Sequence, residues 1–220
     1  MPLFKSQKHI FWQALLLALI MFNIGIFLGY SLEANRAERI NKLYIESDIE
    51  LLDIKIQDDA FYVTDINCEK AVEENIKFAD RVYEEALLLK KYEDANRINQ
   101  ALTLQHKKYD LLRTYFWLNS IKLKEKCKAD YHNVVYFYQY NEPSLDIEAK
   151  QRALSTILEV LKQRQGNRIM LIPIAGDMDL SSINLLLDSY GVNELPTIFI
   201  DENIKITDIV SVEELEKFLD

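Results

Sequence analysis

Chain breakers are scarce in this 220-residue protein, which has only five glycines and four prolines. No glycine lies between Tyr30 and Gln165, and no proline between Leu3 and Glu142. Residues 31–142 therefore hold neither, which in a water-exposed segment favours long helices over turns and short strands. Histidine and cysteine are also few: His9, His106 and His132, and Cys68 and Cys127. The two cysteines form neither a CxxC nor a metal-ligand spacing, so no metal centre and no cofactor are expected. Positive charge is short as well. With 26 Lys+Arg against 35 Asp+Glu the net charge is −9, which offers no electrostatic basis for binding nucleic acid. No glycine loop that cradles phosphate, carboxylate constellation or paired His/Cys site stands out. Enzyme chemistry therefore has no support, and no catalytic residue is assigned.

What is present begins with an uncharged run, Ile10–Tyr30. Its 21 residues span about 31 Å as a helix, close to the roughly 30 Å of a bilayer's hydrocarbon core. Trp12 and Tyr30 sit near its ends, where amphipathic rings favour the interface. A removable signal peptide competes with this reading, but its apolar region is usually shorter, about 7–15 residues. The expectation is an uncleaved anchor. Lys5 and Lys8 before the span nearly balance Arg36, Arg39 and Lys42 after it. The short leading tail, residues 1–9, is the easier part to leave in the cytoplasm. We therefore expect a single-pass cell-membrane protein with a cytoplasmic N-terminus and an extracytoplasmic C-terminal body.

Beyond the span, residues 31–131 carry a net −3 with both signs interspersed, as on solvated helix faces. Apolar residues recur there at steps of three and four. One row is Cys68, Val72, Asn75, Ala79, Val82, Ala86, Leu89, and another runs from Ala95 through Leu102, Tyr109, Leu112 and Phe116 to Leu123. Both fit helices that pack a seam, as a helical hairpin or a coiled-coil stalk. Nearer the span there are two rows, Tyr44/Ser47/Leu51/Ile54 and Ile45/Ile49/Leu52/Ile56. That helix should meet more than one partner, either the downstream helices or a second copy of the chain. Asp65 or Asn67 suits an N-cap for the helix starting near Cys68. The lysines at 122, 124, 126 and 128 read as a solvated helix end.

Cys68 and Cys127 sit at the outer ends of the expected hairpin. If they are level, the turn falls near their midpoint, within the polar stretch Tyr92–Gln100. A disulfide between them is the favoured reading, closing a long loop and requiring an oxidising compartment. Two small core thiols are the alternative.

From Asn133 the period changes. Val134–Tyr138 and Ile169–Ile174 are strand-like, and Ile147–Arg164 is helical with Pro143 suited to its first turn. Asp179 or Ser181 caps the next helix and Gly191 ends it. Then follow Ile198–Ile200, a turn at Asp201-Glu202-Asn203, Ile204–Ile206, and a capping-box pattern at Ser211–Glu214. The order over residues 132–220 is β-α-β-α-β-β-α, an α/β arrangement with a helix-covered sheet.

That order, with Tyr190–Asp201 reading YGVNELPTIFID, resembles the thioredoxin-like fold. The whole layout is similar to membrane-anchored prokaryotic thioredoxin-like proteins: a span, a helical segment bracketed by cysteines, and a C-terminal thioredoxin domain. The resemblance implies that Pro196 is cis and precedes the third strand. It also implies a groove where an extended peptide pairs with exposed backbone, formed by Leu195, Pro196 and Thr197 with Tyr140 and Asn141 across it. One departure matters. Redox-active members carry CxxC after the first strand, where a helix N-terminus generates a thiolate. Here the stretch is Gln139–Leu145, without cysteine. The expected function is thus a redox-inactive binding or scaffold module. The alternatives are an oxidoreductase-related protein using Cys68/Cys127 and an architectural stalk that self-associates.

Overall fold

The computed structural model describes residues 7–63, 65–95, 100–141 and 143–219. It is mostly helical, with a small mixed four-stranded sheet. The chain divides into two compact units, one through Glu46 and one from Ser47 onward. Helix α1 (Gln7–Val63) contributes to both. In the first unit the stretch Ile10–Leu32, 23 residues with mean hydropathy 2.2, is long and apolar enough to cross a membrane, and its apolar side chains are exposed.

In the second unit, α2 (Cys68–Ala95) and α3 (Gln100–Cys127) form an antiparallel hairpin. The Cys68–Cys127 disulfide joins the first residue of α2 to the last of α3, with the Cα atoms 5.4 Å apart. Asn67 caps α2, its Oδ1 accepting from the Lys70 amide at 3.1 Å. Helix α2 ends and α3 begins within Tyr92–Gln100, and the residues of the expected turn, 96–99, lie outside the described residues. On α3 the apolar row is buried at Leu102, Tyr109, Leu112, Phe116 and Leu123. Leu89 and Ala95 of the expected rows carry side chains outside the described set.

Strands β1 (His132–Tyr138), β2 (Ile169–Ala175), β3 (Thr197–Ile200) and β4 (Ile204–Ile206) form a sheet in the order β2-β1-β3-β4. Helix α4 (Leu145–Gln165) crosses over between the parallel pair β1/β2, as a parallel connection requires. β3 runs antiparallel to β1, with Phe137 opposite Thr197, and β4 antiparallel to β3. Both sheet faces are covered, so the strands read as nearly continuous apolar runs. On one face Val134, Tyr136, Leu171, Ile198 and Ile200 meet Leu154, Leu158 and Leu161 of α4 and Leu215 of α6 (Val212–Glu216). On the other face Phe137 and Phe199 surround Trp117 of α3, which also packs on Tyr190 of α5 (Ser181–Tyr190). Trp117 is fully buried, so the hairpin is not freestanding.

Edge strand β2 is lined by α2, with Lys162 of α4 bonded to Asp80 of α2 at 2.9 Å. Covering an edge removes a site for unwanted strand pairing. Pro173 is tolerated because β2 is an edge, and its carbonyl accepts from Arg113 at 3.2 Å.

Two helix starts differ from expectation. α4 begins at Leu145 with Ser144 as N-cap, so Pro143 precedes the cap rather than occupying the first turn. The Ser144 hydroxyl can accept from the Ile147 amide (3.4 Å), which decides the register. At α5 neither Asp179 nor Ser181 caps. Leu180 holds that position without a side-chain bond, and Asp179 instead adopts φ 55°. Gly191 ends α5 at φ 62°, where a side chain is disfavoured, and the capping box at Ser211 and Glu214 is formed.

Candidate functional site: two ends of the sheet

The C-terminal ends of β1 and β2 and the N-terminal end of β3 lie side by side, since Tyr138 pairs with Ala175 and Phe137 with Thr197. This register brings the expected groove residues to one end of the sheet. The Leu195–Pro196 peptide is cis. Pro196 and Thr197 are buried, Leu195 is half-buried, and the Thr197 hydroxyl donates to the Glu194 carbonyl at 2.6 Å. Leu195 rests on Gly176. A Cβ placed there would lie 2.9 Å from both Leu195 methyls, so the glycine permits the close approach.

Asp177 ties the neighbouring loop to this end. Its carboxylate accepts from the Tyr140 amide (2.7 Å) and the Asn141 amide (2.8 Å), and the Asn141 side chain donates back to the Asp177 carbonyl (2.7 Å). Asn141 is exposed. Tyr140 is half-buried and turned toward α3, its ring centroid 4.1 Å from that of His106. His106 Nε2 also lies 2.7 Å from the Tyr138 hydroxyl. A further polar strut joins α3 to β2: Asp110 accepts from the Ala175 amide and from Arg113. Just beyond the loop, Leu145 at the start of α4 is 83% exposed, an apolar side chain offered to solvent. Glu142 lies outside the described residues. No thiol is present in this loop; both cysteines are in the disulfide.

The opposite end of the sheet holds a polar cluster that the sequence reading missed. Asp201 receives bonds from Lys124 Nζ (2.7 Å), His132 Nδ1 (2.5 Å) and the Asn133 amide (3.0 Å). Burial opposes its charge, yet these three donors outweigh burial and hold its carboxyl below the usual range. Glu202 accepts from Trp117 Nε1 (2.6 Å) and Asn133 Nδ2 (3.3 Å), while burial, aided by neighbouring Asp201, pushes its pKa up. Tyr131 is buried nearby against Ser120, and burial raises it to about 12. The two carboxylates sit in a turn with φ of 46° and 56°. Lys124, Lys128 and both acids line an open pocket of about 490 Å³. The sequence flagged this turn only as a turn; its partners are up to 85 residues away.

The lysine tract is likewise more than a solvated helix end, because Lys122 binds Asp58 and Lys124 binds Asp201. The disulfide belongs to this end as well, since Cys127 precedes β1 by a short turn. Seven-residue β1 separates the two ends by about 20 Å.

No protein-family model matches the chain, and no curated protein matches it. Among solved structures the chain is similar to one described as "Structure of a malarial protein". The likeness has a TM-score of 0.32 and 24% identity, and covers 40% of this chain and 93% of that one.

Proposed function

We propose that the protein is a membrane-anchored, thioredoxin-like module without redox chemistry, which holds an extended peptide segment at the Leu195–Thr197 end of its sheet on the extracytoplasmic side. One observation carries this reading: the pairing of Phe137 with Thr197 and of Tyr138 with Ala175 sets the Leu195–Thr197 segment, at the head of β3, at the same sheet end as a β1–α4 loop that contains no cysteine. Supporting it are the β-α-β-α-β-β-α order, the Asp177 strap that holds the two loops together, and the exposed Leu145 at the rim. Backbone groups at such a loop supply affinity by adding a strand-like segment, and flanking apolar side chains supply selectivity. The apolar helix Ile10–Leu32 supports anchoring, and the disulfide supports the oxidising side of the membrane.

Use of Cys68 and Cys127 for thiol exchange is disfavoured. They sit at the far end of the sheet, about 20 Å from the loop that would hold a substrate. There they close the hairpin.

The test is a photo-reactive residue placed at Leu145 in the anchored, full-length protein, followed by identification of the adducts. Covalent capture of extended segments that disappears with Leu195→Asp, in a protein whose melting curve shows it folded, is the expected result. Capture indifferent to Leu195→Asp, or clear turnover in an insulin-reduction assay, contradicts the proposal.

A further inference from the structure

In the second unit, α1 is packed on one side only. Ser47, Ile54 and Asp58 are buried, and α3 holds this side through Lys108 to Asp48, Tyr115 to Asp58 and Lys122 to Asp58. Ile49, Leu52 and Ile56 point about 170° away, from the 100° turn per residue. They are 62%, 60% and 66% exposed. Three large aliphatic side chains thus line one helix face that nothing in the chain covers among the described residues.

We propose that the protein forms a parallel homodimer in its membrane, joined along Ile49, Leu52 and Ile56. The proposal rests on the membrane span of the reading above but not on its peptide groove. Steps of three and then four with isoleucine, leucine and isoleucine make an a-d-a seam. β-Branched residues at a with leucine at d favour two parallel strands. Direction follows from the anchor. Each copy carries Ile10–Leu32 at its N-terminal side, so copies inserted alike leave the bilayer with the same polarity.

The flanking charges do not bar this seam. In this register Asp48 of one copy faces Asp53 of the other, a repulsive pair if both were bare. Asp48 is neutralised by Lys108 at 2.5 Å, which removes that obstacle. Area points to why the membrane matters. Each exposed side chain offers on the order of 100 Å², so two copies bury roughly 600 Å², about half or less of a stable free interface. Confinement in one bilayer supplies the high effective concentration that this seam needs.

Cysteine cross-linking of the full chain in cell membranes tests this, because both native cysteines are already paired. Leu52→Cys and Ile56→Cys should each give mainly a covalent species of twice the monomer mass under mild oxidation. Gln163→Cys, exposed on α4, should stay mostly monomeric. Adding Ile49→Glu to Leu52→Cys should cut the dimer at least tenfold, with an unchanged melting curve because Ile49 is exposed. Monomer alone at positions 52 and 56, equal cross-linking at 163, or an adduct with a different protein overturns the proposal.

Discussion

Two adjacent carboxylates, Asp201 and Glu202, are pushed in opposite directions by their surroundings, and each direction has a consequence for stability. Asp201 is held low by Lys124, His132 and the Asn133 amide. Its contribution is present above the ordinary carboxylate pKa of about 4 and is lost as pH falls through its lowered value. Glu202 is raised by burial, so the folded state binds its proton more tightly than the unfolded state does. Stability therefore declines as pH climbs from the ordinary value through the raised one. Replacing Glu202 with Gln keeps an acceptor for Trp117 and Asn133 while removing the buried charge. The melting temperature of Glu202→Gln at pH 7 should equal or exceed that of the wild type, with a flatter pH profile. Glu202→Leu should lose about 2 kcal/mol by orphaning the Trp117 and Asn133 donors, and Asp201→Asn should also melt lower. A Glu202→Gln protein that melts well below the wild type contradicts this account.

Among the secondary-structure elements, the hairpin is where sequence and structure correspond most closely, and for a physical reason. Steps of three and four repeat only if one helix face is buried, and the α3 row from Leu102 to Leu123 is buried. The same logic recovers the strands, the Asn67 cap and the Ser211 box, all of which depend on residues close in sequence. What the hairpin rests on was not legible, because periodicity names a buried face but not its partner. Trp117 between Phe137, Phe199 and Tyr190, and His106 beside Tyr138, are long-range pairings with no local signature. The Leu195–Thr197 end of the sheet was legible only through its proline; the Asp177 strap and the seat of Leu195 on Gly176 were not. Two measurements address the hairpin. Removing both cysteines should cost about 4 kcal/mol in the chain-entropy model of a 60-residue loop, read as a lower denaturant midpoint. Trp117→Ala should cost about 3–5 kcal/mol. A midpoint unchanged by loss of the disulfide would show that the hairpin already holds its ends together in the unfolded ensemble.

For the molecule as a whole, the parts share one logic. The part of α1 in the first unit carries the apolar span, and its part from Ser47 onward packs on α3. There the hairpin covers one sheet face and one sheet edge, leaving the Leu195–Thr197 end to carry the proposed binding. The polar cluster and the disulfide are at the other end, where they tie the β3–β4 turn and the hairpin ends. Binding and stability should therefore separate. Gly176→Ala, which displaces only flexible Leu195 methyls, should change peptide affinity several-fold with little change in melting temperature. Asp201→Asn should do the reverse, and calorimetric titration beside thermal melts checks both. Peptide binding at the Leu195–Thr197 end is tested most directly by hydrogen–deuterium exchange of the anchored protein with and without a captured peptide. Slower exchange is expected, confined to segments spanning Glu194–Thr197 and Gln139–Asn141. Protection at the Asp201–Glu202 end, with none at the cis-proline loop, would contradict it.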